Sequence, residues 1–249
     1  MNTCKIVVAS ICLAVTVQGW RLSAHSQQVR SRPRGRTIPG VSMSDELASP
    51  DPTSSPLDSL LSSLPKSILP TFVQRDALKR ELLELADKSR GGILPLDAAE
   101  QARLDEIITE QLPALNPTTE PARSNLFSGE WDCVWTTESE LNFAVEKGLF
   151  GLPWQRTYQS IDVPAGSLTN VIQFDDGALT VGSTISPDED GDGSRFKFEF
   201  EECSVRWRGL TVPLPPFGRG WGDLLYLDET MRIQRDIRGD LLVAQKKPS

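Results

Sequence analysis

Only one of the 249 residues is a histidine, and it, His25, lies in an N-terminal stretch with the composition of a targeting leader. A body without histidine has no Ser-His-Asp triad and no imidazole metal site. There is no glycine-rich phosphate loop ending in lysine, and no Cys-x-x-Cys. Cysteine itself is scarce. Cys4 and Cys12 belong to the leader; Cys133 and Cys203 fit one disulfide or two buried thiols, with thiols favoured in a reducing compartment. Long apolar runs are missing too. Ile6–Val17 has the length of a signal-peptide core and falls short of the about 20 residues that span a bilayer. None of the carboxylates sits in an apolar sequence setting that would tune it for acid–base work. The expectation is a chain with no catalytic residue, no metal, no cofactor and no membrane-spanning segment.

Acid is absent from the first 44 residues, whose basic residues are Lys5, Arg21, Arg30, Arg32, Arg34 and Arg36. The net charge of −8 therefore leaves −14 on the remainder. So acidic a body is a poor partner for nucleic acid, which needs clustered lysine and arginine. It gains little from anionic lipid headgroups either, so any contact with lipid must be mainly apolar. Residues 1–19 read as a signal peptide and 20–44, rich in serine and arginine, as a transit-peptide-like segment. That succession is similar to the two-part leader of algal plastids enclosed by the endomembrane system. An ordinary secreted protein with a basic propeptide is the alternative.

Residues 45–70, rich in Ser, Pro and Asp, read as a disordered linker. A helical hairpin is predicted over 71–115. Thr71 can cap its first helix, and Leu78, Leu82, Leu85 and Ala86 share a face before Gly91-Gly92 stop it. Asp97 with Glu100 three residues later forms a capping box for the second. Leu104, Ile107, Ile108 and Leu112 supply its stripe, and Pro113 ends it. The pair reads as a cover on the following domain, with a partner-binding hairpin as the alternative.

Over 124–247 the period changes to two. Trp131, Cys133 and Trp135 alternate with polar neighbours, as do Phe196, Phe198 and Phe200. Asp175-Asp176-Gly177 and Arg238-Gly239-Asp240 mark turns. Short, evenly spaced strands predict a sandwich or barrel. Between the first two strands, Leu141–Trp154 carries Phe143, Phe150 and Trp154 and is too apolar for an exposed loop. It reads as a lid helix, a lipid-inserting patch or a piece of core. Val212–Phe217 is a second apolar segment, kept from a central strand by its prolines.

Asp188, Asp190, Asp192, Gly193 and Glu199 match the spacing of a calcium loop. Pro187 precedes it where a helix should, Arg195 replaces its apolar eighth residue, and Glu199 falls in the Phe strand, so an acidic turn is the better reading. Trp131, Trp135, Trp154, Trp207 and Trp221 suit a cavity for a flat apolar ligand or an interfacial belt, beside ordinary core packing. The candidates for lining a pocket or facing lipid are Trp135, Phe143, Phe150, Trp154, Phe198, Trp207 and Phe217.

Several blocks then occur in a recognisable order. They are Glu81-Leu82-Leu83-Glu84, Arg90-Gly91-Gly92, Leu115-Asn116-Pro117, Ser128-Gly129-Glu130-Trp131, Tyr158–Asp162, Asn170-Val171 and, most specific, Gly220–Val243. From about Arg80 onward the chain resembles the plastid lipid-associated proteins, or fibrillins. The resemblance implies a lipocalin-like antiparallel β-barrel in the plastid, at plastoglobules or thylakoids, peripheral to a lipid-droplet or membrane surface. It also implies carotenoid, quinone or other prenyl lipid as ligand, and a structural or carrier role. The family's signature falls on Gly129, Trp131, Asp228, Arg232 and Arg235, while Cys133-Val134-Trp135 and the Asp188–Gly193 turn depart from its pattern.

Met231, Ile233 and Arg235 share one strand face and Arg232 and Gln234 the other. Arg235, with Arg232 as second choice, is expected to pack on Trp131 at the closed end. Two other functions stay open: a barrel enzyme acting on an isoprenoid through Asp162 or Asp228, and a scaffold whose helical hairpin binds photosynthetic proteins.

Overall fold

The period-two segments become nine antiparallel strands in the computed structural model, which describes residues 70–149 and 151–248. The predicted leader, and the linker up to residue 69, lie outside the described residues. The strands are β1 (Gly129–Thr136), β2 (Trp154–Asp162), β3 (Ser167–Phe174), β4 (Gly177–Pro187), β5 (Arg195–Trp207), β6 (Leu210–Leu214), β7 (Arg219–Leu227), β8 (Met231–Asp236) and β9 (Leu241–Lys246). Eight of them close into a barrel in the order β4-β3-β2-β1-β9-β8-β7-β5, sealed by the β4–β5 pairing. This is the mainly β, antiparallel barrel expected from the sequence. The 13-residue β5 is long enough for two partners: Arg195–Glu199 pair with β7 and Cys203–Trp207 with β6. Pro213 is tolerated because β6 is an edge strand.

Two helices precede the barrel. α1 spans Thr71–Lys88; α2 spans Ala98–Glu106, then widens into a π turn over Ile107–Gln111 and ends with Leu112–Ala114. Pro113 lies inside that last turn, so the helix runs past the predicted stop. The capping box is formed: Ala99 and Glu100 N–H donate to Asp97 Oδ1 at 3.0 and 2.9 Å, and Asp97 N–H donates to Glu100 Oε2 at 3.4 Å. Leu82, Leu104, Ile107, Ile108 and Leu112 are fully buried against Tyr226, Met231, Ile233 and Val243 on the outer barrel wall. Each such side chain contributes about 1.5–3 kcal/mol of burial. The α1–α2 loop is seated on β1 through Gly92 (φ +100°), where a Cβ would fall 2.2 Å from Thr136 O. Beside it Thr136 N–H donates to Gly91 O at 3.1 Å.

A bulge in β1 decides which tryptophan goes inside. Cys133 pairs with Ala244 and Trp135 with Val243, so Val134 is an extra residue and the alternation breaks. Trp131 stays in the interior cluster. Trp135 emerges under the helices, packed with Leu82 and Ile107, and is not a pocket residue.

The two barrel ends are closed differently. Short 3₁₀ turns, Pro121–Arg123 and Asn125–Phe127, seal one, with Phe127, Trp131, Ile161, Leu224 and Leu227 packed beneath them. At the other, α3 (Ser139–Lys147) lays Leu141 and Ala144, with the following Leu149, on Ile172, Phe174, Leu179, Val181 and Cys203. The segment is thus a helix over the barrel mouth that also packs apolar residues into the core beneath it.

Candidate functional site

Between α3 and the sealed floor the barrel encloses a cavity of about 140 Å³. Its walls differ in chemistry. β5 contributes Phe196, Phe198 and Phe200, with successive ring centres 6.3 and 5.5 Å apart. Facing them in the same lining are Gln159 and Asn170 from β2 and β3, and Arg232 and Gln234 from β8. Cys133 also lines it, and burial pushes its thiol up to about 12, so it adds a neutral surface rather than a nucleophile.

Arg232 is fully buried. Its Nη1 donates to Gln234 Oε1 at 3.0 Å and its Nη2 to Gln159 Oε1, while Nε finds no acceptor. Its guanidinium sits 5.3 Å from the ring centre of Phe127 and 5.2 Å from that of Trp131. Burial lowers its pKa to about 9, which leaves it charged at neutral pH. Two ring faces and two amide oxygens offset a desolvation cost of several kcal/mol. Trp131 is held in turn by its Nε1 donating to Phe127 O at 2.9 Å. Lys246 Nζ, 5.0 Å from the same ring centre, donates to Leu126 O at 2.9 Å. Gly129 (φ +133°) permits this, since a Cβ there would meet Lys246 Cε at 2.5 Å.

At the mouth stand Glu138, Glu140, Asp236 and Arg238. Arg238 donates to Glu140 Oε1 and Asp236 Oδ2, both at 3.3 Å, and pairs with Asp240 at 2.9 Å. Burial, then the neighbouring Asp236 charge, pushes the Glu138 carboxyl up to about 7.

The sequence model of the PAP_fibrillin family matches residues 76–245. The chain belongs to the PAP/fibrillin family. It is 36% identical over 177 residues to "Probable plastid-lipid-associated protein 11, chloroplastic" of Arabidopsis thaliana, an alignment covering 68% of this chain and 79% of that protein. To "Probable plastid-lipid-associated protein 12, chloroplastic" of the same plant it is 26% identical over 156 residues, covering 57% of this chain and 38% of that longer relative. No solved structure matches.

Within this PAP/fibrillin barrel the arginine on Trp131 is Arg232, not Arg235. The covering helices claim the apolar Met231–Ile233 face of β8 for the outer wall, so Arg235 goes outward with it and Arg232 inward. Of the aromatic candidates, Phe198 lines the cavity. Trp154 is half-buried and outside the lining, and donates from Nε1 to the lining residue Thr157 Oγ1 at 2.9 Å. Phe143 lies on α3 and Trp207 and Phe217 on or after the β5–β6 hairpin, 43%, 39% and 56% exposed, and none of the three lines the cavity. Phe150 lies outside the described residues.

The acidic candidates are engaged elsewhere. Asp228 accepts from Lys79 Nζ at 2.7 Å, Tyr226 Oη at 2.6 Å, and Thr230 and Met231 N–H at 2.8 and 2.7 Å. Burial pushes its pKa up, but these donors outweigh it and the net shift is downward. It fastens α1 to the β7–β8 turn. Asp162 is exposed and accepts from Ala165 N–H at 3.0 Å in the β2–β3 turn. In the acidic loop Asp188 pairs with Lys197 at 2.9 Å, and Ser194 N–H and Oγ donate to Asp192 at 2.9 and 2.6 Å.

Gln159, Asn170, Gln234 and Glu138 line the cavity without being marked as site residues by the sequence. For Gln234 a signal existed, two residues from Arg232 on the same face. The others become visible only when β2 and β3 are placed across the barrel from β8.

Proposed function

We propose that this chain is a non-catalytic lipid-binding protein of the plastid that takes the ring or head of a prenyl quinone, carotenoid or similar lipid into its barrel. The observation that carries the reading is the cavity walled by Phe196, Phe198 and Phe200 inside a closed barrel. At about 140 Å³ it is smaller than the about 300–1,000 Å³ of pockets that engulf a drug-sized ligand. A head group fits; a long isoprenoid chain has to leave past α3, which covers the mouth. The names of the two relatives and the leader-like N-terminus support the plastid, and plastoglobules or thylakoids supply the lipid.

Surface contact falls to the β5–β6 hairpin. Trp207, Leu210, Val212 and Phe217 are exposed there, beside Arg206 and Arg208, and the hairpin tip neighbours the β3–β4 turn at the mouth end of the barrel. Such a patch on an otherwise acidic body suits shallow insertion among lipids. Organic extraction of the protein purified from plastids, followed by mass spectrometry, should recover a prenyl lipid approaching one per chain. Protein that carries none and takes none up from mixed plastid lipid would end the carrier reading. Leu210→Asp with Phe217→Asp should reduce flotation on plastid-lipid vesicles several-fold, and unchanged flotation would remove the hairpin from it.

A further inference from the structure

We propose that the floor of the cavity offers a ligand free amide N–H donors while its amide oxygens are already engaged, and so selects a lipid whose buried end is a carbonyl over one ending in a hydroxyl or in bare hydrocarbon. The proposal rests on the carrier reading and specifies its ligand. An amide side chain offers a carbonyl and an NH₂, and the end facing a ligand is fixed by what the other end bonds. Arg232 has donors alone. It therefore turns the Oε1 of both Gln234 and Gln159 toward itself. Gln159 then donates from Nε2 to Asn170 Oδ1 at 2.6 Å, which orients Asn170 by the same rule.

What remains is the Nε2 of Gln234 and the Nδ2 of Asn170, neither with an acceptor among the described residues, and both on side chains that line the cavity. Thr157, also in the lining, accepts from Trp154 Nε1 and keeps its O–H proton and one lone pair. The lining carboxyls Glu138, Glu140 and Asp236 stand at the mouth, where Arg238 holds the last two.

A carbonyl oxygen satisfies such a floor. A hydroxyl brings a proton that must share an oxygen already accepting a hydrogen bond, and a hydrocarbon leaves the amide donors unpaired; both pair the buried polar groups less well than a carbonyl does. A carboxylate would have to pass the acidic mouth, so the fitting ligand is neutral. The stepped Phe196–Phe198–Phe200 wall offers ring faces to a flat conjugated head. Arg232 acts here as a positioning residue that imposes polarity on the amides.

Three probes with one tail test the inference by isothermal titration of the purified protein: 2-decyl-1,4-benzoquinone, its hydroquinone and decylbenzene. The quinone should bind about tenfold or more tightly than either of the others, the scale of one unsatisfied buried polar group. Gln234→Glu replaces the donor with an acceptor and should remove or reverse the quinone-over-hydroquinone preference. Asn170→Leu, farther from Arg232, should weaken the quinone alone and leave decylbenzene unchanged. Equal affinity of the native protein for quinone and either analogue overturns the donor-floor inference while the carrier reading stands. Failure of all three probes to bind overturns the carrier reading itself.

Discussion

Arg232 rests its guanidinium 5.2 Å from the centre of the Trp131 ring, and its hydrogen bonds go to the amide oxygens of Gln159 and Gln234 rather than to a carboxylate. The indole face is thus part of what stabilises a buried cation, and the cation is part of what holds the floor of the cavity. Trp131→Ala should cost about 3–5 kcal/mol in urea unfolding, through the void and the exposed charge together. Trp131→Phe keeps a ring face and loses the bond to Phe127 O, so it should cost clearly less. Equal losses for the two would mean that the ring face contributes nothing.

Asp228 and Lys79 join α1 to the barrel through a largely buried pair at 2.7 Å. Asp228→Asn should destabilise by about 2–3 kcal/mol, since it removes the charged partner of the ammonium and weakens four further hydrogen bonds. In a double-mutant cycle with Lys79→Met, the coupling should be about 1–2 kcal/mol. The lowered carboxyl pKa fixes the sign with pH. The native state binds fewer protons than the unfolded chain around the ordinary carboxylate pKa, so this stability is present above that range and is lost as pH falls through it. Thermal unfolding of Asp228→Asn should therefore fall less steeply on the acid side than that of the native chain.

How much of this the sequence revealed depends on the kind of signal. The capping box at Asp97 and Glu100, the apolar stripe of α2 and the turn at Asp175–Gly177 are local, and the structure has them where the residues place them. Trp135 departs from its sequence placement because a bulge is a tertiary choice: period two continues through Val134 in the sequence, and only the pairing with β9 breaks it. Arg235 can reach Trp131 only if the Met231–Ile233 face of β8 points inward. Here the helices cover the outer wall, so that face points out and the polar one lines the cavity. The polar wall itself was invisible. Gln159, Asn170 and Gln234 each look like solvent-facing residues until barrel closure sets them opposite the phenylalanines.

Glu138, directly before α3 at the mouth, is the group whose ionisation should be felt in stability. Its carboxyl is pushed from an ordinary 4.5 up to about 7 by burial and by Asp236, Asp240 and Glu140, with only Arg238 pulling the other way. Between those two values the native state keeps a proton that the unfolded chain has released. Stability should therefore decline as pH rises from about 4.5 to about 7 and then level off. Glu138→Gln removes the ionisation. It should match the native chain near pH 4.5 and exceed it by about 1–2 kcal/mol at pH 8, the upper limit of a full shift being reduced because the residue is half-buried. Urea midpoints measured for both proteins across that range decide the point: parallel pH profiles would show that Glu138 is solvated at the mouth and carries no such cost.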